Sequence, residues 1–151
     1  MSREPIIIVG GEPNSVFLEI FFKSLKTNTY KSPLIIIVGG EPNSVFLEIF
    51  FKSLKTNTYK SPLIIIISKK LLQEQMKKLD FYFKINDINK ELKDFSKLNN
   101  KKINLINVDY KFKKCFEKIT NKSNNYIDET FKIALNFIKQ NNLSKFINGD
   151  L

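Results

Sequence analysis

Apolar positions open the chain as a continuous run rather than an alternation. Ile6 to Val9 places four β-branched residues in a row, the habit of a strand covered on both faces in a parallel sheet. Gly10-Gly11-Glu12-Pro13-Asn14-Ser15 follows. The glycines permit a tight turn. Pro13 is tolerated near a helix start, where its missing N–H would be unpaired anyway, and Asn14 or Ser15 can cap that start with a side-chain oxygen. Phe17 with Phe21, and Leu18 with Phe22 and Leu25, then recur at helical spacing on a broad apolar face. The stretch predicts one β-turn-α unit.

That unit occurs twice, since residues 6–37 are identical to residues 35–66 and the second copy begins before the first has ended. Gly39, Gly40, Glu41, Pro42, Asn43 and Ser44 are therefore the twins of residues 10–15. Two identical units compete for one place in a fold. An added terminal unit disturbs a core less than an insertion between packed elements, so the second copy is expected in the native first-strand position. Residues 1–34 are then a duplicated extension, and residues 35–151 an incomplete α/β domain.

Polar, turn-rich residues 27–33 and 56–62 lead into Leu34–Val38 and Leu63–Ile67, two further strand patterns. Ser68 precedes a helix over 69–79 with Leu72, Met76 and Leu79 on one face. Phe81–Ile85 reads as a short strand, residues 86–102 as a surface helix or an ordered loop, and Ile103–Val108 as a strand. Phe112, Cys115, Phe116 and Ile119 sit at helical spacing. The last helix follows Ser123 and shows a stripe of Ile127, Phe131, Ala134, Leu135 and Ile138, ending near Asn141 and Asn142. Residues 145–149 then read as a strand entering a glycine turn just before the terminus, which gives the expectation of a truncated protein. Strands alternating with helices predict an α/β fold with a parallel or mostly parallel sheet and crossover helices.

Composition narrows the chemistry. Cys115 is the only cysteine and histidine is absent, so C-x-x-C motifs are excluded and the commonest general base and metal ligand are missing. Cys115 is read as a packing residue. The formal charge is +10, but Arg3 is the only arginine and lysines supply the rest. Lysine is a point charge without the bidentate fork that reads guanine, and Lys, Asn and Ile are abundant together, as A/T-rich codons would produce. Specific nucleic-acid recognition is not expected. Glu19 and Lys23 interrupt the longest apolar stretch, so no membrane span is predicted. Glu4 and Pro5 precede a run too short for a signal peptide, and a cytoplasmic location is the default expectation.

The turn after each first strand could hold an anion, because a helix start offers free N–H groups and a favourable dipole. Gly39, Gly40, Asn43 and Ser44 are the candidate residues. The segment matches neither G-x-x-x-x-G-K-[ST] nor G-x-G-x-x-G, and a plain strand-to-helix turn explains it as well.

The block Ile-Ile-Ile-Val-Gly-Gly-Glu-Pro-Asn-Ser resembles the opening of the 4-hydroxythreonine-4-phosphate dehydrogenases. Ser123–Asn148 is similar to the later helix and strand that lead into that family's Gly-Pro loop. The resemblance implies a fold like that of isocitrate and isopropylmalate dehydrogenases. It also implies a homodimer and oxidation of 4-phosphooxy-threonine with NAD or NADP, using a divalent metal held by histidines, in pyridoxal phosphate synthesis. Only Gly39, Glu41 and Pro42, or their twins Gly10, Glu12 and Pro13, match a family motif. Gly149-Asp150 stands where the family has Gly-Pro, and no catalytic or metal residue carries over. The expectation is an amino-terminal part of such an enzyme, without productive cofactor binding or activity as this chain alone. The alternative is a small basic α/β module for acidic partners such as nucleic acid.

Overall fold

The computed structural model describes residues 6–9, 35–56, 59, 61–142 and 145–148, with the strands at 6–9 and 145–148 defined by their backbone pairing. In chain order the elements are β1 (Ile6–Val9), β2 (Ile35–Val38), α1 (Phe46–Thr56), β3 (Leu63–Ile67), α2 (Lys69–Lys78), β4 (Ile85–Asp87), β5 (Ile103–Asn107), α3 (Asn124–Gln140) and β6 (Lys145–Asn148). The strands form one sheet in the order β4-β5-β3-β2-β1-β6, and all five pairings are parallel. This is the α/β arrangement that the strand and helix patterns predict.

Continuous apolar strands suit the middle of this sheet because β2 and β3 are covered on both faces. Ile36, Ile37, Val38 and all of β3 are buried without regard to side, so inward and outward positions are equally dry. Right-handed crossovers explain the covering. The chain advances from β2 through β3 in one direction and returns from β5 to β6 in the other, which sends α1 and α2 to one face and α3 to the opposite one. In agreement, α1 packs on α2, and α3 packs on β2 and β3. On α1 the residues Phe46, Leu47, Phe50 and Phe51 are buried, the twins of the apolar face expected from 17–22. Residues 10–34, including Gly10, Glu12, Pro13 and the first helical pattern, lie outside the described residues, as does Gly149-Asp150.

The strands of both copies lie in the sheet. β1 pairs with β2 twin to twin, Ile6 beside Ile35, and with β6 on its other side. The boundary drawn at residue 34 thus runs between two hydrogen-bonded strands.

Three local readings change in the structure, and one pair of alternatives is decided. The strand expected at 81–85 begins only at Ile85, because Phe81 and Phe83 are drawn into a ring cluster with Phe51. Of the two readings open for 86–102, the structure takes the ordered loop, over residues 88–102. There the side chains of Asn89, Asp94 and Asn99 accept from the N–H two residues on, a local alternative that competes with helical bonding. No helix forms over 112–119. Phe116 adopts φ 61° and the N–H of Glu117 is taken by Asn43, so the periodicity serves packing alone and Cys115 is buried. Finally, α3 is turned by about one position from its apolar stripe. Tyr126, Thr130, Ala134 and Phe137 face inward, whereas Leu135 is 51% exposed. Tyr126 and Thr130 tolerate burial because each hydroxyl is hydrogen-bonded, to Ser68 N and to Ile127 O.

β2 ends against β3 with no space to spare. A Cβ on Gly39 would lie 2.6 Å from Ile67 Cδ1 and 2.8 Å from its Cγ1. Gly39→Ala is therefore expected to destabilise the chain by about 1–3 kcal/mol through overpacking. Because the obstacle is one side chain, the loss in Gly39→Ala/Ile67→Ala should be smaller than the sum of the single losses. Urea unfolding of the four proteins checks this, and additive losses would place the strain elsewhere.

Candidate functional site

Open parallel sheets gather ligands at the carboxyl ends of their strands, and the Gly39–Ser44 turn lies there, directly after β2. Its conformation follows from its residues. Gly40 takes φ 60°, open to glycine at no steric cost. Gly39 N donates to Ile66 O at 3.1 Å and ties the turn to β3. Glu41 then folds back so that its Oε1 accepts from Asn43 N at 3.0 Å, while Ser44 N donates to Glu41 O and Ser44 Oγ caps Phe46 N at 3.2 Å. Hence three N–H groups that an anion would approach are occupied by Glu41 and Ser44.

The turn is also clamped from outside. Glu41 Oε2 accepts from the Ser123 hydroxyl at 2.7 Å, Asn43 Oδ1 accepts from Glu117 N at 3.1 Å, and Pro42 O accepts from Gln75 Nε2 at 2.8 Å. Gln75 is fully buried, and its Oε1 has no hydrogen-bond partner among the described residues. Two segments far apart in sequence, the 113–123 loop and α2, thus close on one six-residue turn.

The start of α2, after β3, is satisfied in the same way. Ser68 N donates to the Tyr126 hydroxyl at 2.9 Å, Leu71 N to Ser68 Oγ at 3.3 Å, and Lys69 N to Asn107 Oδ1 at 2.8 Å. The Lys69 ammonium meets Asp87 at 2.6 Å, joining the ends of β3 and β4. The Tyr110 ring packs tilted against Tyr126, with centroids 4.5 Å apart. Burial, then the charges of Glu41 and Glu117, hold the Tyr110 phenol above its ordinary value. Burial pushes the Tyr126 phenol up much further. The Ser68 N–H opposes that shift, and the charges of Tyr110 and Glu41 add to it.

The chain matches no protein-family model and no curated protein.

A divalent metal held by imidazoles has no imidazole here. No group of three His, Cys, Asp or Glu side chains gathers among the described residues. Asp87 and Asp109 are engaged by Lys69 and Asn107, and Glu41 by Ser123 and Asn43. This donor set does not suit such a metal. Nor does the turn suit a dinucleotide pyrophosphate, since the space above Gly39 is filled by Ile67 and the N–H groups of Asn43, Ser44 and Phe46 are already taken by the Glu41 carboxylate, the Glu41 carbonyl and the Ser44 hydroxyl. Of the candidate residues, Asn43 and Ser44 act as turn and cap, Gly40 supplies the left-handed backbone, and Gly39 the close approach. Sequence reasoning missed Ser123 as the partner of Glu41, and Tyr126 and Asn107 as partners of the α2 start. A polar residue at an i, i+4 position of α3's buried face was the available signal for Tyr126.

Ser123→Ala removes a hydrogen bond to a carboxylate and is expected to cost about 1.5–3 kcal/mol. Hydrogen exchange should quicken both at Asn43–Phe46 and at 120–124; a change confined to α3 would deny the link. For Tyr126 the sign follows from the raised folded-state value. The neutral phenol is favoured in the fold, so its contribution is complete below the unfolded value near 10.0 and is lost as pH rises above it. The stability gap between wild type and Tyr126→Phe should therefore shrink between about pH 9 and pH 11. Urea unfolding at several pH values reads this, and a constant gap would remove Tyr126 as its source.

Proposed function

We propose that the chain forms the amino-terminal α/β portion of a 4-hydroxythreonine-4-phosphate dehydrogenase-like enzyme. One observation carries the reading: the two blocks that bear the family resemblance, far apart in sequence, meet in space. Glu41, in the Gly-Glu-Pro turn, accepts from Ser123 at the head of the second block. The strand ending in the second block, β6, lies in the same sheet as the strands of the first. An isocitrate dehydrogenase-like fold and a homodimeric assembly belong to this proposal, as does NAD-dependent chemistry in the whole enzyme.

In this reading the described residues are scaffold. The turn after β2 sets the spacing between β2, the 113–123 loop and α3, and so holds the carboxyl edge of the sheet in one shape. Hydride transfer needs a nucleotide and a substrate alcohol held together, and the 151 residues supply no imidazole to polarise that alcohol. The chain alone is expected to give no NADH from NAD, a divalent metal and 4-phosphooxy-threonine. Residues 6–148, which keep β1 between β2 and β6, grafted for the matching segment of an active family member, should retain turnover, with circular dichroism confirming that the graft folds. Turnover by the chain alone, or a folded and inactive graft, would overturn the corresponding half of the proposal.

A further inference from the structure

At the opposite edge of the sheet, α2 ends at Lys78, the chain turns through Asp80 with φ 58°, and it returns extended through Phe81–Lys84 into β4. The extended backbone alternates its side chains: Phe81 and Phe83 are half-buried, and Tyr82 and Lys84 point out. The two phenylalanine rings stack at 6.2 Å and rest on Phe51 at 5.4 and 6.0 Å. They make the floor of an open hollow of about 430 Å³, lined also by Met76, Lys77, Tyr82 and Lys84. Tyr82 is 83% exposed, and a third cation, Lys55, lies 5.8 Å over the Phe81 ring.

We propose that this hollow binds single-stranded nucleic acid, with one base stacking on Tyr82 and the neighbouring phosphates meeting Lys77 and Lys84. The ring is placed for this use. Its hydroxyl donates to Asp80 at 3.0 Å, which fixes the edge of the ring while its exposed surface stays free for stacking. Cations border the apolar floor, so the charge complements a phosphate backbone next to a flat base. A free nucleotide suits it less, because small-ligand sites enclose most of their ligand and this hollow is open. An acidic peptide would satisfy the lysines and leave the aromatic surface idle. Lysines read charge without base identity, so the site is indifferent to sequence. The overall lysine excess does not specify such a site; an exposed ring sharing one hollow with two lysines does.

The test is fluorescence anisotropy of a labelled oligothymidylate of about fifteen nucleotides with the full chain, over a range of salt concentrations. Tyr82→Ala should weaken binding about ten-fold, while Tyr82→Phe, which keeps the stacking face and loses only the Asp80 hydrogen bond, should lose clearly less; an equal loss would remove stacking as the source. Lys77→Gln with Lys84→Gln should lower the salt slope by about 1.4, or roughly 0.7 for each charge. Lys132→Gln with Lys139→Gln, on the exposed side of α3, should change neither quantity. Equal losses in that control pair would replace the site by diffuse attraction. Displacement of the strand by polyglutamate at matched charge would make the partner an acidic peptide, and no binding at low salt would end the proposal.

Discussion

The Glu41 carboxylate is the constraint on which the carboxyl edge depends. One oxygen closes the turn on Asn43 N and the other receives the Ser123 hydroxyl. A single side chain therefore shapes the entry to α1 and anchors the chain just before α3. Because hydrogen bonds to a charged acceptor are stronger than neutral ones, the link can hold an irregular loop, 108–120, that has no ladder or helix of its own. With Glu41 in place, Asn43 can reach Glu117 and Tyr110 packs beside Tyr126. The same carboxylate occupies an N–H that a second anion would approach, so the turn's structural role and its poor fit to an anion share one cause.

Beneath that edge the buried side chains of β2 and β3 are all Ile, Leu or Val, and this has consequences for register. β1 meets β2 twin to twin, Ile6 beside Ile35. β2 meets β3 with Ile35 beside Leu63, although the twin of Ile35 within the repeat is Ile64. The same sequence thus pairs in two registers one residue apart. In a sheet with a wet face such a slip would turn every apolar side chain outward. Here residues 36–38 of β2 and all of β3 are buried and each paired position is Ile, Leu or Val, so either register is tolerated. Gly39 against Ile67 and Asn104 Nδ2 on Leu63 O supply the specificity that the strand side chains lack.

Polar residues inside the fold do similar work. Asn100 and Asn104 donate to carbonyls of Tyr59, Ser61 and Leu63, pinning the segment before β3 to the start of β5. Gln75 reaches Pro42 from within α2. These contacts join elements that apolar packing alone would leave free to slide, and each is made by a residue that composition would count as surface.

The sequence by itself determined the class of fold and the cores of its elements. Unbroken Ile and Val runs require a sheet covered on both faces, and helical spacing of Phe46, Leu47, Phe50 and Phe51 requires a helix to cover it. Those preferences are local, so they could be read without knowing what lies opposite. Tertiary structure decided whatever depends on a distant partner. α3 turned from its stripe because Tyr126 found Ser68, and helical spacing over 112–119 came to nothing because Asn43 claimed the N–H of Glu117. The strand predicted from Phe81 started later because Phe51 drew its rings away. In each case a hydrogen bond or ring contact from a remote segment outweighed a pattern of apolar positions, since a pattern states only which side chains leave water and not what they meet.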